Sequence, residues 1–104
     1  MASVKYDIQV NSGTAAVNTI PKKAAFTTGT SVSFDGSPGT VIRFQDGGPF
    51  NEDVKGKLLT LPAGPFTIKN GKGRFHFECG HMVTKNGKEV FELWLGKGGD
   101  VPQD

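Results

Sequence analysis

The chain holds one cysteine, one tryptophan, one tyrosine and two histidines in 104 residues, and each scarcity removes a class of reading. A single Cys excludes an internal disulfide. It leaves the redox compartment open. No run approaches the roughly 18 apolar residues of a membrane span. The opening residues, Met1 to Tyr6, lack the apolar stretch of a signal peptide. The expectation is therefore a soluble chain with no membrane partner, cytoplasmic by default. An exported protein trimmed of its leader would read the same. Charge of one sign is also missing: 12 basic and 10 acidic side chains leave a net +2. They are scattered rather than gathered into a stripe, so no nucleic-acid partner is expected. No stretch of ten residues carries a helical period, and there is no internal repeat, linker or low-complexity block.

What is abundant is glycine, at 15 residues, with 6 Pro and 8 Phe. Gly at about twice average usage, without a fixed period, punctuates many short elements. Between these punctuation marks the apolar residues alternate. Val4, Tyr6, Ile8 and Val10 face one way while Lys5, Asp7 and Gln9 face the other. Thr14 to Ile20, Val32 to Phe34, Val41 to Phe44, Leu58 to Leu61 and Phe66 to Ile68 continue the series. Arg74 to Cys79 alternates strictly, with Phe75, Phe77 and Cys79 on one face. Asn86-Gly87 within Val83 to Val90 is the signature of a type I′ hairpin turn. Phe91, Leu93 and Leu95 then lie opposite Glu92 and Trp94, and residues 97–104 read as a loose polar tail. About seven or eight short strands at spacings of about 8–12 residues predict a single all-β domain over residues 1–104, a β-sandwich or Greek-key barrel. Asn51 to Lys57 reads as a loop or one short helical turn.

The only cluster of soft-metal ligand types is Phe75-His76-Phe77-Glu78-Cys79-Gly80-His81-Met82. Thiolate, imidazole and thioether together suit copper. Aromatics four and two residues before a Cys, with His and Met just after it, are similar to the C-terminal copper loop of cupredoxins. Thr28-Gly29-Thr30-Ser31-Val32-Ser33-Phe34 resembles a strand of that family, and Pro49-Phe50-Asn51 stands where plastocyanin-like members carry Pro-His-Asn. The resemblance covers about Lys22 to Met82 and implies a cupredoxin-like Greek-key sandwich. It also implies a type 1 copper held by two His, one Cys and a weak axial Met.

The departures bear on the metal. Phe50 stands at the first ligand position, and a phenyl ring cannot coordinate copper. His81 and Met82 are adjacent, so on an extended chain they point oppositely. His76 lies on the strand face opposite Cys79. The bland expectations are a buried, inert Cys79, with His81 and Met82 in a loop at the sandwich rim. His76 and Glu78 read as a solvated face with a weak mutual contact.

No catalytic residues are expected. A Cys79–His81 nucleophile needs an open, electropositive setting that a core-facing Cys lacks. Asp46, Glu52 and Asp53 read as solubilising charges rather than as a calcium loop. Gly36 to Gly39 and Gly96 to Gly99 lack the Lys-Ser/Thr and the helix of a phosphate site.

Three functions stay open. The first is a non-enzymatic cupredoxin-like binding or interaction module without a type 1 copper or other cofactor, its partner an unidentified protein or small ligand. Its surface would comprise Gln45 to Phe50, Asn70 to Gly73 and Gly80 to Asn86, with Phe50 and Met82 as apolar anchors, or with Phe50 capping the core instead. The second is a copper-binding or electron-transfer protein with an irregular site at Cys79, His81 and Met82. The third is a structural or assembly β-sandwich, associating through an exposed edge such as Val4 to Val10.

Overall fold

A computed structural model describes residues 3–69, 73–96 and 98–102. Alternation becomes strand wherever the sequence promised it. The elements are β1 (Ser3–Asn11), β2 (Thr14–Ile20), β3 (Ser31–Gly36), β4 (Val41–Arg43), β5 (Leu58–Thr60), β6 (Ala63–Thr67), β7 (Phe75–Lys85), β8 (Lys88–Leu93) and β9 (Gly99–Val101). No helix occurs among the described residues. Residues 51–57 form an irregular loop apart from one bridge, between Lys55 and Phe44.

The strands form two sheets, ordered β2-β1-β3-β6 and β5-β4-β7-β8. β9 pairs with β7 as well, Gly99 opposite Phe77, and so continues along β7 where β8 leaves off. β1 and β3 run parallel; the other strand pairs are antiparallel. The chain passes between the sheets from β3 to β4, from β5 to β6 and from β6 to β7.

Aromatic side chains fill the space between the sheets. Val4, Tyr6 and Ile8 point inward from β1 and are buried, as the alternation predicts. Tyr6 stacks on Phe34 at 5.0 Å between ring centroids and meets Phe77 edge-on at 5.6 Å. Phe44 closes on Phe77 at 5.3 Å. Burying each such ring stabilises the fold by about 1.5–3 kcal/mol, before chain entropy is set against it.

Two expectations change. Val4 to Val10 is not an open edge, because β1 lies between β2 and β3. The tail is not loose throughout. Gly99–Val101 is a strand, Val101 is completely buried, and the Tyr6 hydroxyl donates to the Asp100 carbonyl at 2.6 Å. The Gly residues there serve close approach: a Cβ on Gly98 would collide with the Phe77 carbonyl oxygen, and one on Gly99 with the Phe77 ring. Leu93 is 54% and Leu95 70% exposed, while Trp94 packs on the core.

Candidate functional site

The segment expected as a metal loop is strand. β7 runs unbroken from Phe75 to Lys85, straight through Cys79, Gly80, His81 and Met82. Ile42 and Val41 of β4 lie opposite Cys79 and Gly80 on one side, and Leu93 to Val90 of β8 lie opposite Gly80 to Val83 on the other. Gly80 allows the crowding: a side chain there would run into the Phe91 ring and the Glu92 carbonyl. Held within the β7 ladder, His81 and Met82 are not rim residues.

This arrangement leaves Cys79 and His81 on one face of β7 and takes Met82 away from both. Cys79 faces inward and is buried among core side chains. Burial pushes its thiol from 9.0 up to about 12, against the thiolate that metal binding or nucleophilic attack requires. His81 lies flat on Trp94, with ring centroids 3.8 Å apart and planes 11° from parallel. Met82, an odd number of residues from both Cys79 and His81, falls on the opposite face of β7. Phe50 is 5% exposed, edge-on to Phe44 at 5.6 Å and stacked on Phe66 at 5.2 Å. It is therefore a core side chain and not a surface anchor. Among the described residues, no group of three His, Cys, Asp or Glu side chains is placed to hold a metal ion. The residues present do not fit a type 1 copper.

Two surface features remain. The first is a cleft of about 480 Å³ where β8 ends and β9 begins, lined by residues that include His76, Glu78, Leu93, Trp94 and Asp100. Two of its polar side chains, His76 and Glu78, are already paired, whereas the buried Trp94 Nε1–H has no hydrogen-bond partner among the described residues. His76 Nδ1 lies 3.0 Å from Asp100 Oδ1. Glu78 Oε1 accepts from Arg43 Nη2 at 2.9 Å and from Nε at 3.2 Å. The expected His76–Glu78 contact is thus replaced by two cross-strand pairs.

The second feature is the β7–β8 hairpin. Asn86 (φ 52°) and Gly87 (φ 77°) form the tight turn their sequence predicts, and both adopt the left-handed backbone that type I′ requires. This fixes the register Lys85↔Lys88 through Gly80↔Leu93. Among the described residues, β8 pairs with β7 alone, and residues 84–90 are all exposed. Met82, Phe91 and Leu93 consequently lie on one face of the hairpin, and Val83 and Val90 on the other; Val90 and Leu93 are exposed and Met82, Val83 and Phe91 half-buried. Arg43 sits over the Phe91 ring, 4.9 Å from its centroid. On the second face Glu92 lies 3.3 Å from Lys85 and 3.6 Å from His81.

Of the loops read as a contact surface, Asn70 to Lys72 lie outside the described residues. Gln45 to Phe50 ends in the core at Phe50, and Gly80 to Asn86 is hairpin. Sequence reasoning marked Met82 but missed Phe91, Val90 and Leu93. Counting strand positions outward from Asn86-Gly87 gives their faces. No family model matches the chain, and neither a curated protein nor a solved structure matches it.

Proposed function

We propose that the chain is a non-enzymatic binding or interaction module on a Greek-key sandwich of cupredoxin type without a type 1 copper, and that the β7–β8 hairpin is its contact surface. The observation that carries this reading is the hairpin's exposure. On this two-stranded arm Val90 and Leu93 are exposed and Met82, Val83 and Phe91 are half-buried. A two-stranded arm of apolar residues gains little stability alone, and exposed apolar strips of this kind mark contact sites. The repeated passage of the chain between sheets supports the Greek-key reading. The pairing of His76 with Asp100 and of Glu78 with Arg43, and the protonated, buried Cys79, support a function without catalysis.

Site-specific photo-cross-linking tests this reading in the producing cell. A photoreactive residue at position 90 is expected to give a discrete cross-linked product, and one at the exposed Lys23 is not. Equal, diffuse labelling from both positions would overturn the proposal.

A further inference from the structure

The outer strand of the hairpin is complementary to itself. From this we infer that β8 pairs antiparallel with β8 of a second copy of this chain, joining two sheets into one across a two-fold axis. The inference rests on the hairpin being the contact surface and names its partner.

The open backbone groups set the register. β8 is the last strand of its sheet, with β7 on one side and no strand on the other among the described residues. Trp94 N–H donates to the Cys79 carbonyl at 3.0 Å. Counting back in steps of two to the Lys85↔Lys88 pair that closes the turn, Lys88, Val90 and Glu92 direct their backbone groups to β7. Glu89, Phe91 and Leu93 therefore present theirs to the open edge. Two such edges can exchange backbone hydrogen bonds only in registers that set odd-numbered residues opposite each other.

Charge selects among these registers. Centring the pair on Val90 places Lys88 of each copy opposite Glu92 of the other, with Val90 against Val90 between the two ion pairs. Shifting by two residues toward Leu93 sets Phe91 against itself and Lys88 against Trp94, and both ion pairs are lost. The Val90-centred register also makes Val90 a non-hydrogen-bonded pair, the arrangement in which opposed side chains come closest. Val90 is 37% exposed and the Glu92 side chain 48%, so both have surface left to cover. The Glu92 carboxylate has Lys85 beside one oxygen and His81 beside the other, and its half-exposed side chain can accept Lys88 of the second copy as a further partner. Open strand edges usually carry charges that repel a copy of themselves; here the charges attract one.

Charge exchange tests the pairing in the purified full-length protein. Sedimentation equilibrium from about 1 µM to about 1 mM is expected to show a monomer–dimer equilibrium, the range of a small, partly polar interface. K88E and E92K, taken singly, are each expected to weaken the dimer about tenfold or more. Mixed in equal amounts, they are expected to form a heterodimer at least as well as wild type. The K88E chain is then acidic at both positions and the E92K chain basic at both, so each cross-strand pair is again of opposite sign. Glu89→Pro, which removes an outward N–H and no hairpin bond, is expected to abolish association while the circular dichroism spectrum stays that of wild type. A monomer throughout the range, or a dimer indifferent to all these changes, would overturn the inference. The cross-linked product from position 90 separates the two proposals: twice the chain mass supports self-pairing. A discrete product of any other mass overturns self-pairing and leaves the hairpin as the contact surface.

Discussion

The imidazole of His81 lies flat on the indole of Trp94, 3.8 Å between ring centroids and 11° from parallel. Trp94 is the residue that packs on the core where β8 ends, and its backbone N–H bonds to Cys79. A histidine two residues after a core cysteine is therefore committed to an aromatic neighbour and to Glu92, 3.6 Å away. The hairpin is consequently anchored at its base by rings and left open along its length.

Cys79 is expected to be silent toward thiol reagents in the folded protein, because the thiol is buried and held protonated. Ellman's reagent at pH 8 should react at the rate of global or local opening, and quickly only in denaturant. Rapid stoichiometric reaction of the native protein would contradict the burial.

The same group makes stability depend on pH at the alkaline end. The folded thiol titrates near 12 and the unfolded thiol near 9.0. Between those values the unfolded chain has lost a proton that the folded chain retains, so stability falls as pH rises. Below about pH 9 the contribution is constant. The slope is about 1.4 kcal/mol per pH unit for one group. Urea melts from about pH 8 to about pH 11 should show a smaller decline for Cys79→Ala than for wild type, and equal declines would count against this origin.

Phe50 should behave as core. Phe50→Ala is expected to cost about 3–5 kcal/mol of folding stability, measured by denaturant unfolding. A surface anchor would lose less than about 0.5 kcal/mol, and that result would move Phe50 back to the surface.

Tyr6→Phe isolates the clasp between β1 and β9. Losing the hydroxyl's bond to the Asp100 carbonyl should cost about 1 kcal/mol. That lowers the melting temperature by about 4–8 °C in a domain near this size. Amide exchange should quicken at Gly99 to Val101 first, and no local change there would show that β9 is held by other contacts.

Much of this architecture was legible in the residues. Alternation located β1, β2 and β3, and Asn86-Gly87 fixed the hairpin because only residues tolerant of a left-handed backbone serve that turn. What escaped was non-local. The strand at Gly99–Val101 has too few side chains to signal itself, and it exists because Val101 fills the core and glycines let it approach Phe77. The cluster Cys79-Gly80-His81-Met82 reads as a loop when Gly is taken as punctuation. In the fold that Gly is a close-approach residue under Phe91, and the strand runs through it.

The course of residues 79–82 decides most directly between an interaction module and a copper protein. Reduced protein should be titrated with Cu(I) and Cu(II), following absorption and melting temperature, with Cys79→Ser as the control. For an interaction module, no intense thiolate-to-copper band and no Cys79-dependent rise in melting temperature are expected. A band, or a rise abolished by Cys79→Ser, would mean that Cys79, His81 and Met82 converge on a metal, and would contradict the strand geometry and the function drawn from it.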